Sequence, residues 1–119
     1  MNLEEVAKAL AIDLDASVAR FAGNRTLYAR FLKKFLDDQS MTQLQTAIEQ
    51  KDSQALERSA HTLKGVCANL GLSRLADLAS AVVSAVRNGD ADSLYADTGL
   101  LNDCRKEYDR VCNLITELQ

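Results

Sequence analysis

The single histidine of the chain, His61, lies in a segment whose residue types could support phosphoryl transfer. The neutral form of an imidazole has a nitrogen lone pair that can attack phosphorus. Lys64 would lie one helical turn further on, where its ammonium could offset the charge of a phosphorylated imidazole. Because phosphoryl transfer depends mainly on positioning and charge neutralisation, these two residues predict a phosphoryl-acceptor site.

Periodicity predicts that this segment is a helix with two different faces. At about 100° per residue, its apolar residues fall within roughly 40° of one direction, toward a core. His61 points about 140° away from Leu56, toward solvent, and Gly65, Ala68 and Glu57 share its face, with Lys64 at the flank. The apolar residues are Leu56, Ala60, Leu63, Cys67 and Leu70.

Gly65 is unexpected in the middle of such a helix. An exposed interior glycine costs about 1 kcal/mol relative to alanine, and nothing in the local pattern requires a bend. We interpret the missing side chain, one turn from His61, as clearance for another protein that approaches the imidazole. The alternative is an ordinary surface histidine. Gly65, Ala68 and the outward orientation of His61 together favour the docking site.

Helical periodicity continues through the rest of the chain. No proline and only five glycines occur in 119 residues, which excludes the turn-rich all-β folds. A helix is predicted over 73–88, capped by Ser73 and ended by Asn88–Gly89. A last helix is predicted to begin in the region of Asp90 to Asp92, where an aspartate can cap it. Gly99 either marks a short break before the main part of this helix or is a tolerated surface glycine. Its apolar stripe is Leu94, Leu101, Cys104, Tyr108, Val111, Ile115 and Leu118.

Two further apolar stripes precede the histidine segment, with phases that do not match. They are Tyr28, Phe31, Leu32 and Phe35, and then Met41, Leu44, Ala47 and Ile48. We expect either one helix kinked near residues 37–40 or two abutting helices, with Ser40 as the cap and Gln43 closing a capping box. Shorter amphipathic patterns at Leu3–Leu10 and Asp13–Ala22 end at Gly23–Asn24.

These patterns predict a single all-α domain over residues 1–119. Residues 1–23 form short N-terminal helices packed against the end of a bundle, and residues 25–119 form the core. Four substantial helices with short connections imply an antiparallel four-helix bundle.

Charge, hydropathy and cysteine content limit the partners and the cellular location that we expect. The net charge of −3 and the absence of a basic run argue against nucleic acid as a partner. No apolar stretch approaches the roughly 20 residues that span a bilayer, and no secretion signal is present, so we expect a cytoplasmic protein without a membrane partner. Cys67, Cys104 and Cys112 are odd in number and lack CxxC spacing, which predicts buried thiols rather than a disulfide framework or a zinc site.

The segment from Ala60 to Gly71, AHTLKGVCANLG, resembles the phosphorylation motif of histidine-containing phosphotransfer (HPt) domains of bacterial two-component phosphorelays. The shared pattern is H-x-L-K-G, four residues, then L-G, and the order of helices extends the resemblance over most of the chain. It implies a helical bundle whose exposed histidine shuttles a phosphoryl group between aspartates of receiver domains. By this resemblance His61 is the phospho-acceptor, Lys64 the charge partner and Gly65 the clearance residue.

The chain departs from the family pattern at two places. Val66 and Cys67 stand where many relatives have small polar residues. Val83 stands where some relatives have a polar residue near the histidine, on the next helix. Arg87, one turn beyond Val83, could reach the phosphoryl group instead. We expect Arg87 to belong, with Ala68 and Glu57, to the partner-binding surface.

The resulting hypothesis is a monomeric phosphocarrier that receives a phosphoryl group on His61 from one receiver domain and gives it to another. No nucleotide-binding motif is present, so the chain should not phosphorylate itself, and it should bind no cofactor. Mg²⁺ should come from the receiver. Met1 favours a free-standing protein over a module of a longer kinase. The alternative function is a non-phosphorylated helical adaptor; a hydrolase ranks third, because Cys67 points inward and Glu57 is at most a hydrogen-bond partner.

Overall fold

Eight α-helices and no strand make up the structure, a computed structural model that describes residues 1–119. The predicted all-α class is confirmed. The helices are α1 (Leu3–Ala9), α2 (Leu14–Ala19), α3 (Arg25–Lys34), α4 (Ser40–Gln50), α5 (Ser53–Leu70), α6 (Ser73–Arg87), α7 (Ala91–Ala96) and α8 (Gly99–Thr116), with a 3₁₀ turn at Phe35–Asp37 between α3 and α4.

The helical bundle is built around α5, which packs against α4 on one side and α6 on the other, while α8 packs on α6. The four members of the bundle are therefore α5, α6, α8 and the continuous segment from α3 through the 3₁₀ turn to α4. Only two residues join α4 to α5 and two join α5 to α6, so these helices reverse direction at each connection. One continuous cluster of 29 buried apolar residues fills the space between the helices.

A residue with left-handed backbone follows each of α4, α5 and α6. Gly71 has a φ of 80° and Gly89 a φ of 82°, as the predicted helix stops require. After Gly71, the N–H of Leu72 donates to the carbonyl of Cys67 at 2.9 Å. Lys51 adopts the same conformation after α4, with a φ of 51°, although it has a side chain. Each stop lets the chain turn back within two or three residues.

Several predicted caps are wrong. Ser40 and Ser73 are the first residues of α4 and α6 rather than their caps, and the residues at the cap positions, Gln39 and Leu72, make no side-chain capping bond. The Ser40 N–H instead donates to Oδ2 of Asp38 at 3.0 Å. Ser40 is itself buried and so belongs to the packed face of α4. The Ser40–Gln43 capping box is therefore absent, and two helices abut.

The last predicted helix is two helices. It starts where expected, at Ala91 after Asp90, but the Asp90 side chain makes no capping bond. The chain leaves the helix at Asp97, whose backbone is extended, and α8 begins at Gly99. The Gly99 N–H donates to Oδ1 of Asp97 at 3.1 Å. Gly99 thus marks a break.

Hydrogen bonds tie the two N-terminal helices to α8 and to the end of α5. The Met1 ammonium donates to the carbonyl of Glu117 at 2.6 Å, and Arg110 donates to the carbonyl of Ala9 at 3.1 Å. Directly after α2, Arg20 donates through Nε to the carbonyl of Asn69 at 3.1 Å. This last bond satisfies a carbonyl at the end of α5, where a cation is favourable.

Glu107 is the one charged residue that is buried, and the sequence analysis did not single it out. Its carboxylate accepts two hydrogen bonds from Arg110, at 2.9 and 2.8 Å, and lies 3.4 Å from Nε of Arg74. Because Arg74 belongs to α6, this cluster joins α6 to α8. The two guanidinium groups offset the cost of burying this carboxylate.

Candidate functional site

Helix α5 carries the candidate site and is well defined at both ends. The Asp52 carboxylate accepts a hydrogen bond from the N–H of Ala55 at 3.1 Å, which caps the start. Gly71 ends the helix. Every residue of the predicted apolar stripe, Leu56, Ala60, Leu63, Cys67 and Leu70, is buried. Burial of this stripe fixes the rotation of α5 and turns the opposite face toward solvent.

His61 is exposed on that outward face, near the middle of the 18-residue helix. Gly65 and Ala68 are exposed beside it. A Cβ added to Gly65 would meet no atom within 4 Å, so the surface one turn from the imidazole is open. The structure thus brings these three residues together as the sequence predicted. The arrangement leaves room for a second protein to contact the imidazole.

Lys64 is partly buried at the flank of this face, one turn after His61. It takes part in none of the ion pairs of the structure. Its ammonium is therefore not neutralised by a carboxylate of this chain and remains available to an anionic group on His61.

Glu57 and Arg87 form an ion pair across the α5–α6 interface, with Arg87 Nε 2.5 Å from Glu57 Oε1. Glu57 lies one turn before His61, so the pair borders the histidine on the side opposite to Lys64. Arg87 therefore reaches the site, but its partner in the structure is Glu57. The Glu57 carboxylate is thus bonded to Arg87 and not to the imidazole of His61.

The neighbouring helix α6 offers no other polar side chain at the position considered above. Val83 is buried, with 3% of its surface exposed, and belongs to the core. Val66 is partly buried and Cys67 is fully buried. The departures of the chain from the family pattern thus fall on packed positions of the two helices.

A shallow groove next to this face was not predicted. It lies between the end of α3 and the last turns of α5, and Phe31, Lys34, Val66 and Asn69 line it. Phe31 is 40% exposed and Leu36 is 38% exposed, although Phe31 was expected in the core. On the helical wheel Phe31 lies about 60° from Tyr28, at the edge of the buried stripe. This offset is the sequence feature that could have indicated the exposure of Phe31.

Phe31 is held in place by its neighbours. Its ring packs against Phe21 at 5.3 Å between centroids, and the Lys34 ammonium lies 5.2 Å from its centroid. The cation and the ring attract each other, and both remain reachable from solvent. The groove therefore presents an apolar surface edged by the Lys34 ammonium and by the carboxylates of Asp37 and Asp38.

The cysteines do not supply a nucleophile to this face. Burial raises the pKa of the Cys67 thiol well above its ordinary range and that of Cys104 to about 11. Both are fully buried as predicted, whereas Cys112 is only partly buried, next to Tyr108. No group of three or more His, Cys, Asp or Glu side chains could hold a metal ion. None of the helices has the length and apolar character needed to cross a bilayer.

Comparison with known proteins identifies one family. A model of the Hpt domain matches residues 28–119, well over half of the chain. The matched region contains α4 to α8 and most of α3, and so includes His61 and every other residue of the candidate site. In comparisons with curated proteins and with solved structures, nothing matches the chain.

Proposed function

The chain belongs to the Hpt domain family, and we propose on this basis that it carries a phosphoryl group between receiver domains, with His61 as the acceptor. The family has a phosphotransfer role in two-component systems, which the resemblance from the sequence already implied. The observation that carries the proposal is the exposed imidazole in the middle of α5 beside the open space at Gly65.

In the proposed reaction the imidazole lone pair of His61 attacks the phosphorus of a receiver phosphoaspartate. A P–N bond forms as the P–O bond breaks, and its electron pair returns to the aspartate carboxylate. The proton already on the other imidazole nitrogen stays there during the attack. Transfer to the next receiver reverses these steps, so the chain is a carrier and its total phosphoryl content is set by its partners.

Charge neutralisation falls to residues on both proteins. Lys64, unpaired and one turn from His61, attracts the phosphoryl oxygens on this chain. Mg²⁺ in the receiver's aspartate pocket supplies the remaining positive charge during transfer. The open space at Gly65 allows the receiver to bring its aspartate into line with the imidazole.

The receiver also needs a surface on which to bind. The outward face of α5 offers small residues around His61, and the adjoining groove at Phe31 offers exposed apolar surface further along. An apolar patch beside the reactive group gives affinity without obstructing the imidazole. We therefore propose that the receiver covers His61, Gly65 and the groove together.

Incubation with a panel of phosphorylated receiver domains and Mg²⁺ tests this function. The wild-type chain should acquire radioactive label that is lost in acid and survives base, as expected of phosphohistidine. His61→Gln should acquire none. Asn113→Gln, an exposed neutral substitution on α8, is the matched control and should be labelled like the wild type.

Circular dichroism would verify that His61→Gln is folded. A wild-type chain that binds receivers but takes no label from any of them would refute phosphotransfer and support the adaptor function. Equal labelling of His61→Gln would place the phosphoryl group elsewhere and refute the role of His61.

A further inference from the structure

The ion pair between Glu57 and Arg87 places a guanidinium next to the proposed acceptor without leaving it free. Arg87 Nε lies 2.5 Å from Glu57 Oε1, and Glu57 is four residues before His61 on the outward side of α5. Residues four apart on a helix are neighbours, with Cβ atoms about 5–6 Å apart. A phosphoryl group on His61 would therefore lie within reach of the arginine that Glu57 now holds.

This pair is weakly held because solvent reaches it. The Arg87 side chain is 59% exposed and that of Glu57 is 34% exposed. Exposed ion pairs contribute only about 0–1 kcal/mol to stability, because water and salt screen the charges. Glu107 provides the contrast, since its side chain is only 6% exposed and two arginines surround it. Of these two carboxylates, only Glu57 can give up its arginine at little cost.

A phosphoryl group would compete strongly for that arginine. It carries a charge of about −2 near neutral pH against −1 for the carboxylate. Its oxygens also match the planar fork of the guanidinium. Both properties favour transfer of Arg87 from Glu57 to a phosphorylated His61, where it would face Lys64 across the phosphoryl group.

We propose that Glu57 restrains Arg87 in the unphosphorylated domain and that the phosphoryl group on His61 takes the guanidinium from it. The proposal rests on His61 being the acceptor. Glu57 is then a positioning residue that acts through Arg87. When the phosphoryl group leaves, Arg87 returns to Glu57, which offsets the contact that is lost. This exchange keeps transfer to the next receiver reversible.

Nuclear magnetic resonance of the full chain tests the exchange directly. Phosphoramidate is the probe, because it phosphorylates imidazole without a partner protein and releases ammonia as the new P–N bond forms. The Arg87 Nε–H signal should shift when His61 is phosphorylated. In Glu57→Gln the same signal should already differ from that of the wild type before phosphorylation.

The equilibrium constant for phosphoryl transfer to His61 measures how far the exchange of Arg87 stabilises the phosphorylated domain. With one labelled receiver, Glu57→Gln should raise the equilibrium constant for phosphoryl on His61 about threefold, because it removes a nearby negative charge and frees the guanidinium. Arg87→Gln should lower it about threefold, and Arg87→Lys should restore part of the loss. In the Arg87→Gln background, Glu57→Gln should have a clearly smaller effect than in the wild type.

Asp109→Asn is the matched control, because Asp109 pairs with Arg105 in an exposed ion pair on α8. It removes the same charge and should leave the equilibrium unchanged. A labelled wild type whose Arg87 signal does not move, or a Glu57→Gln variant with less phosphohistidine, would overturn the exchange while leaving the carrier function intact. A chain that accepted no phosphoryl group from receivers or from phosphoramidate would refute both.

Discussion

Gly65 and Gly71 belong to the same stretch of chain and have opposite surroundings. Gly65 has ordinary helical backbone, and a Cβ added there would meet nothing within 4 Å. Gly71 ends α5 with a φ of 80°, and a Cβ added there would lie 2.2 Å from Oγ of Ser17 in α2. One position is open to solvent, and the other lies against Ser17 of α2.

The difference separates a glycine that the fold requires from one that it does not. Gly71 is needed twice, for the left-handed turn and for the approach of Ser17, whose Oγ also accepts a hydrogen bond from Arg20 at 3.2 Å. Nothing within the chain requires Gly65, and alanine there would favour the helix. The proposed function accounts for Gly65 by the approach of a partner.

The largest expected effect follows from replacing the required glycine. Gly71→Ala should lower the free energy of unfolding by about 2–4 kcal/mol, because left-handed backbone strain adds to the clash with Ser17. Urea unfolding measures this loss. Pairing the change with Ser17→Gly should recover the part due to the clash, and phosphoryl acceptance per folded molecule should be unchanged. A loss below the cost of backbone strain alone would argue against the close approach of α2.

Gly65→Gln should leave the fold intact and impair transfer. A side chain over the open turn should slow phosphoryl transfer from a receiver about tenfold, equivalent to roughly 1.4 kcal/mol in the barrier. The free energy of unfolding should rise by up to about 1 kcal/mol, as helix propensity predicts. Rapid-quench kinetics and urea unfolding give the two values, with Gly65→Ala as the graded control. Wild-type transfer rates in Gly65→Gln would contradict the clearance role.

Gly89 separates the two causes that act together at Gly71. It has a φ of 82°, but an added Cβ would meet nothing within 4 Å. Gly89→Ala should therefore lower the free energy of unfolding by about 1 kcal/mol, from backbone strain alone. Urea unfolding beside Gly71→Ala measures the difference between strain and clash. Equal losses in the two variants would mean that Ser17 moves aside freely.

Lys64→Ala has the smallest expected effect and tests charge at the open turn. Removing the ammonium should lower the equilibrium constant for phosphoryl on His61 about threefold, through lost attraction for the phosphoryl oxygens. The melting temperature should not change, because Lys64 makes no ion pair. Lys106→Ala, an exposed lysine on α8, is the control. Reduced melting with normal phosphorylation would make the role of Lys64 structural.

The sequence predicted the helices better than their ends. Stripes such as Leu56, Ala60 and Leu63 predicted both the helix and its buried face, because burial imposes the helical period on the residue pattern. Caps at Ser40 and Ser73 were wrong, since a cap depends on the path by which the chain enters the helix. Gly71 and Gly89 were predicted correctly as stops, because their left-handed conformation suits glycine regardless of context.

The ion pairs between helices could not be predicted from the sequence. Glu57 and Arg87 are 30 residues apart in the chain, and Glu107 and Arg74 are 33 residues apart. Nothing in local spacing distinguishes these charged residues from solvated ones. The exposure of Phe31 was likewise missed, because the same spacing fits a buried face or its edge until α2 and α5 are in place.

By itself the sequence determined the all-helical class, the outward orientation of His61 and the bare surface beside it. These follow from the period of one helix and from the absence of side chains, which are local properties. The tertiary structure alone decided that Arg87 meets Glu57, that Ser17 fills the space at Gly71 and that a groove at Phe31 adjoins the histidine face. Each of these depends on how separate helices pack, and packing is set by all of their surfaces together.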